Sequence, residues 1–170
     1  AWLDPGTRVL RVNEQPRSSI IVEPADGQLP YTLWARGQFY WQGYKALRVF
    51  NNPEERLEGE RCIVGFGSTG GPPMLPVLYN NNYQIVQTPG QVLILVEMNH
   101  NIRTIRLQGK PLPNAIKPWH GDSLGHWEGN TLVVRTTQFH PQQNLRFAIK
   151  HQFLMSESSV VEERFTRTSQ

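Results

Sequence analysis

The chain has 170 residues, enough for one domain with a sizeable core and too few to expect two. Its 17 basic and 14 acidic residues give a formal charge of +3 with no basic run, which argues against nucleic-acid binding, where positive charge is gathered into a patch or stripe. The single cysteine, Cys62, excludes an internal disulfide and a Cys-based zinc site, and there is no apolar run of the roughly eighteen residues a membrane span needs. Gly and Pro are frequent but not periodic, so they read as the punctuation of an all-β chain.

Ala1 to Asn13 alternates weakly and reads as a short edge strand or an extended arm. Ser18 to Val22 reads as a second short strand ended by Pro24, and Ala25-Asp26-Gly27 as a turn, with Asp bonding local backbone and Gly taking positive φ. Tyr31 to Phe50 carries seven aromatics: Tyr31, Trp34, Phe39, Tyr40, Trp41, Tyr44 and Phe50. Arg36, Lys45 and Arg48 lie among them without an acid. Spacings of three and four suit a helix with Thr32 as N-cap, and Gly37 and Gly43, at about 1 kcal/mol each relative to Ala, predict that it is broken. Asn51-Asn52-Pro53 closes it, and Pro53 to Glu60 is a polar turn or a single helical turn.

Arg61 to Phe66 reads as a strand with Cys62 buried at its start. Gly67 to Tyr79 is a Gly/Pro loop without the spacing of a phosphate loop. Strands are predicted over Tyr83–Thr88, Gln91–Met98 and Ile102–Leu107, with turns at Pro89-Gly90 and Asn99-His100-Asn101. The unbroken run Val92–Val96 predicts cover on both faces. After a connection marked by Pro111, Pro113 and Pro118, Trp119 to Phe139 contains a loop, a Glu128-Gly129-Asn130 turn and a β-branched strand from Thr131. Phe147 to Met155 reads as one strand with alternate residues on an apolar face, Ser156-Glu157-Ser158 as a turn, and Ser159 to Arg167 as the returning strand. On that last strand Val161 and Phe165 face inward, and Glu163 shares their parity without fitting the pattern. The expected fold is therefore a single, mainly β domain over 1–170: an N-terminal arm with an aromatic helical insertion over 1–60, then an antiparallel meander over 61–170, closed as a barrel or packed as a sandwich.

One motif set points beyond fold class: Gln84-Ile85-Val86-Gln87-Thr88-Pro89-Gly90, Glu97-Met98, Arg103-Thr104-Ile105, Gly121-Asp122-Ser123, Gly125-His126-Trp127-Glu128-Gly129-Asn130-Thr131-Leu132-Val133-Val134 and Val161 to Arg167. With Ser19 to Pro24 and Arg61-Cys62 upstream, these pieces resemble a large family of uncharacterised bacterial proteins, many made with export signals. The resemblance implies a lipocalin-like meander and a periplasmic or secreted setting, with a signal peptide removed ahead of Ala1. It implies no settled activity. Family members carry more chain before the Ser19–Pro24 piece and further strands after Arg167, so a barrel that is incomplete or completed by a partner is expected here. The family segment matching Tyr31–Phe50 is Ala- and charge-rich, whereas here it is aromatic.

Chemistry concentrates near the WEGN turn. His120, Asp122 and His126 form H-x-D-x3-H, the donor set of a divalent-metal site, and Asp122 could instead orient His126 as a general base. Against this, Gly121-Asp122-Ser123 is ordinary turn chemistry, so the weightier reading is structural, with no metal and no cofactor. His151 falls on the apolar parity of its strand and would be the polar group of any internal cavity; Glu97 would pair with Arg103 or Arg106 across a hairpin. The aromatic segment offers Trp34, Phe39, Tyr40, Trp41 and Tyr44 as binding residues toward another protein or a membrane surface. The expected role is thus a non-catalytic extracytoplasmic accessory domain, with two alternatives: a carrier of a small apolar ligand, or a small lyase or isomerase using His126, Asp122 and His151.

Overall fold

The computed structural model describes residues 7–12, 14–48, 51–56, 58–65, 70–142, 145–148 and 151–168. Among these, alternation of apolar and polar residues builds one main sheet. Its strands are numbered here after a two-residue pair near the N-terminus, β1 (Arg11–Val12) and β2 (Gln15–Pro16). They are β3 (Tyr83–Gln87), β4 (Gln91–Val96), β5 (Ile102–Arg106), β6 (Asp122–Glu128), β7 (Thr131–Thr137) and β10 (Val161–Thr166), in the spatial order β10-β7-β6-β5-β4-β3. The sheet curls into an open half-barrel and does not close. A small hairpin, β8 (Leu145–Ala148) and β9 (His151–Leu154), interrupts the path from β7 to β10, and one helix, α1 (Leu33–Arg48), precedes the sheet.

The tight turns form where their chemistry lies. Gly129 takes φ +61° between β6 and β7, so Glu128 and Thr131 pair directly across a two-residue loop. Pro89-Gly90 joins β3 to β4, and Asp26 Oδ1 accepts the Gln28 N–H (2.9 Å) in the turn after the cis Glu23–Pro24 bond. The core is the inner face of the half-barrel: Val92, Ile94 and Val96 from β4, Ile105 from β5, and Leu132 and Val134 from β7, with Met98 at the end of β4. Met74, Val77, Leu107 and Phe165 pack against it. Fully burying such side chains contributes about 1.5–3 kcal/mol each, which is why the period-two pattern dominates the fold.

Several expectations are corrected. The sheet is mixed, because β5 and β6 run parallel, in register only at Ile105–Ser123 and Arg106–Leu124. A parallel step needs a crossover, and the proline-marked stretch from Leu107 to Gly121 supplies it. Phe147 to Met155 is not one strand: Ala148 pairs with His151, Phe147 with Gln152 and Arg146 with Phe153, so the chain doubles back within it. Cover on β4 is one-sided, leaving Leu95 exposed on the other face.

No strand forms at 18–22. There Ser19 Oγ donates to Gly27 O (2.9 Å) and accepts the Ile21 N–H (3.1 Å), and these local bonds take the place of a ladder. Residues 58–64 are turns and bends, with Cys62 exposed at φ +55° rather than buried in a strand. α1 runs unbroken through Gly37 and Gly43. Its Thr32 cap is in place, with the Ala35 N–H donating to Thr32 Oγ1 (3.1 Å). A single 3₁₀ turn, Pro53–Glu55, follows within the 53–60 stretch expected to hold a polar or single helical turn.

Candidate functional site

The face that α1 turns toward the rest of the chain is mixed, and its outward face is apolar. At about 100° per residue, Ala35, Gln38, Phe39 and Gln42 share one side and are half-buried. Leu33, Trp34, Tyr40, Trp41 and Tyr44 share the other and are between 53 and 88% exposed. Trp41 and Tyr44 stack on each other at 5.8 Å on this outward side. Of the five aromatic binding residues read from sequence, Phe39 stands apart. It meets Tyr31 edge-on at 4.8 Å, on the inward side.

The inward side is tied down at one end. The Tyr31 hydroxyl donates to Gln152 O (2.8 Å) and accepts the Gln152 N–H (3.1 Å), fastening the start of α1 to β9. Beside this clip an apolar groove of about 470 Å³ runs between Ala35 and Phe39 on the helix and Phe153, Met155 and Val161 below.

The residues of H-x-D-x3-H do not converge. Asp122 and His126 point to the same face of β6, but four strand residues apart, about 13 Å along the chain. Asp122 is buried and fully engaged. It accepts two bonds from Arg106 Nη2 (2.7 and 2.9 Å) and one from the Leu112 N–H (2.9 Å), pinning the crossover to the sheet. His126 is exposed and bonds Glu128 Oε1 (3.2 Å). The bond from His126, with help from the Arg164 charge, holds the Glu128 carboxyl below its usual range. That makes a surface charge network of His126, Glu128 and Arg164 and leaves Asp122 no part in orienting His126. His120 is half-buried and lines the same cavity as Trp119 and Asp122. Among the described residues no group of three His, Cys, Asp or Glu side chains is placed to hold a metal. The side chain of His151 lies outside the described residues. Glu97 is exposed and accepts from Asn82 Nδ2 (2.8 Å), rather than pairing with either arginine.

The polar feature that sequence reasoning missed is inside the half-barrel. Arg103 is 2% exposed and lies across the inner face. Its Nη2 donates to Glu163 Oε2 (2.5 Å) and Thr136 Oγ1 (3.1 Å), and its Nε to Ser123 Oγ (3.3 Å). Ser123 and Thr136 hydroxyls bond each other (2.8 Å), and Glu163 Oε1 accepts the Met74 N–H (3.0 Å). One row of polar side chains therefore crosses β5, β6, β7 and β10. The inward parity of Glu163 was the signal for it, but its partner is sixty residues away.

Tyr83, on β3, also faces this row. Burial first, and then the negative charge of Glu163, push its hydroxyl above the ordinary tyrosine value. Because the folded-state pKa is the higher one, folding is unaffected below about pH 10 and weakens as pH rises through the raised value. Urea midpoints measured at increasing alkaline pH are expected to fall less steeply in Tyr83→Phe than in the parent; parallel slopes would show that Tyr83 is not the group responsible.

No protein-family model matches this chain, and neither the curated proteins nor the solved structures contain a match to it.

Proposed function

We propose that this chain is a non-catalytic accessory domain that docks on a partner protein through the outward face of α1. The observation that carries this reading is the apolar stripe on the outward side of the helix: Leu33, Trp34, Tyr40, Trp41 and Tyr44 face water, while Ala35, Gln38, Phe39 and Gln42 face the body. A soluble helix normally buries its apolar stripe, and a large exposed apolar patch marks an interaction site. Trp and Tyr are also the residues that concentrate binding energy. Arg36, Lys45 and Arg48 accompany the stripe with no acid on the helix, so the complementary surface is an apolar groove with an acidic rim. The resemblance of residues 84–167 to exported proteins supports an extracytoplasmic setting for the contact.

A protein groove fits better than a lipid surface because the stripe is flanked by only three basic residues, fewer than a basic amphipathic membrane helix presents. The decisive experiment identifies the protein that co-purifies with the chain from its own cell and titrates the two purified components. Trp34→Ala and Trp41→Ala are each expected to weaken that complex by about 30-fold or more, the loss of roughly 2 kcal/mol typical of a hot spot. Gln42→Ala, on the inward face, should leave it within a factor of about three. If both tryptophan variants bind as the parent does, the docking role is wrong. If the parent instead sediments with anionic phospholipid vesicles and finds no protein, the membrane reading replaces it.

A further inference from the structure

An open half-barrel has two edges, and here the two differ in charge. At one edge β10 carries Glu162, Glu163 and Arg164, and charged side chains are a common guard against edge-to-edge pairing. At the other edge β3 reads Tyr83-Gln84-Ile85-Val86-Gln87, without a charge, a proline or a glycine. All five of its residues are exposed.

The pairing with β4 fixes which backbone groups of β3 are free. The Thr88 N–H donates to Gln91 O (2.9 Å) and the Glu97 N–H to Asn82 O (3.0 Å). Bonded and non-bonded pairs alternate along an antiparallel ladder, so Gln84 and Val86 direct their N–H and C=O groups to β4. Tyr83, Ile85 and Gln87 direct theirs to the open side. The side chains of these three lie on the inner face, opposite Val96, Ile94 and Val92, which are buried. Ile85 is nonetheless 62% exposed. The inner apolar row therefore runs out to the edge and ends in water beside a free ladder.

We propose that β3 pairs with β3 of a second copy of this chain, antiparallel about a two-fold axis at Ile85. On that axis Ile85 faces Ile85 of the other copy, and Tyr83 faces Gln87. Every outward-bonding residue then meets another, and the ladder closes with about six N–H···O bonds. The inner faces of the two copies join, and Ile85 is covered from both sides. Pairing β3 with β10 of another copy would instead be heterologous, exposing both edge types again at each end and growing into fibres. The two-fold pairing closes, matches an uncharged strand to an uncharged strand, and leaves only the charged edge outside. It uses a different element from α1, so it stands or falls separately from the docking role.

The test is sedimentation velocity of the full chain. Between about 5 and 500 µM the monomer is expected to pass to a dimer, the weak affinity of an interface below the standard size. Ile85→Lys sets two ammonium groups against each other on the axis, at a position the single chain exposes, and should raise the dissociation constant about tenfold or more. Ile85→Pro removes only an outward N–H and should do the same. Trp41→Ala and Glu162→Ala should each leave it unchanged. Hydrogen exchange read by mass spectrometry on the parent gives a check without substitution: residues 82–88 should exchange about threefold or more slowly at the high concentration. A monomer at every concentration, assemblies that grow beyond the dimer, a dimer that Trp41→Ala abolishes, or one that both Ile85 variants keep would each overturn the proposal. If the Ile85 variants unfold, the exchange comparison decides, and unchanged exchange over 82–88 in a dimerising parent overturns the assignment to β3.

Discussion

Arg103→Ala is expected to lower the unfolding free energy by about 3–5 kcal/mol, a large share of the roughly 5–15 kcal/mol available to a domain of this kind. The cause is not the Coulomb attraction itself. Removing the guanidinium strands the Glu163 carboxylate, whose side chain is 11% exposed, with the Met74 N–H as its remaining donor among the described residues, and removes the donor that Ser123 and Thr136 both share. Glu163→Ala should cost a similar amount for the mirror reason, an unpaired cation on the inner face. Replacing both by methionine should restore most of the loss, because a buried pair is often energetically neutral against apolar residues of similar volume. The measurement is a double-mutant cycle by urea unfolding followed through tryptophan fluorescence. If either single alanine costs under about 1 kcal/mol, the row is hydrated in solution and the inner face is not sealed.

That row also marks the boundary of what the sequence made legible. Local chemistry was readable: Gly129-Asn130 and Pro89-Gly90 set two hairpins, Thr32 capped α1, and alternation over β10 placed Val161 and Phe165 on the inner side. Pairings that depend on distant partners were not. A period of two is the same for parallel and antiparallel neighbours, so nothing local distinguished the β5–β6 step. The β8–β9 reversal falls between Ala148 and His151, where Ile149 and Lys150 carry no turn signal, and a continuous strand was the natural reading. Two glycines were expected to break α1, yet a cost near 1 kcal/mol each did not interrupt a sixteen-residue helix whose start is clipped to β9 by Tyr31. As for the candidate site, composition singled out the aromatic helix, but which aromatics face water depends on the side from which the body approaches. The Arg103–Glu163 pair needed coordinates, because its members are sixty residues apart and the nearer partner on offer for Arg103 was Glu97.

Gly121→Ala is expected to cost about 2–4 kcal/mol, and Gly129→Ala only about 1 kcal/mol, although both glycines sit at left-handed φ. The difference lies in what a β-carbon would meet. At Gly129 (φ +61°) there is nothing within 4 Å, so the substitution carries only the backbone penalty. At Gly121 (φ +72°) the new carbon would stand 2.8 Å from Thr137 O, 2.7 Å from Thr136 Cγ2 and 3.0 Å from Phe139 Cε1. Thr136 belongs to the buried polar row, Phe139 is fully buried, and Thr137 O is backbone, so none of the three can yield cheaply. Relief has to come from the segment itself, which would pull Asp122 off Arg106 and the Leu112 N–H and loosen the crossover that walls the cavity beside Trp119. Paired denaturation curves isolate this steric part, since the conformational penalty is common to both variants. Equal destabilisation of the two would mean that the chain before β6 is free to shift, and that the parallel junction is not the rigid hinge-point on which both the crossover and the cavity depend.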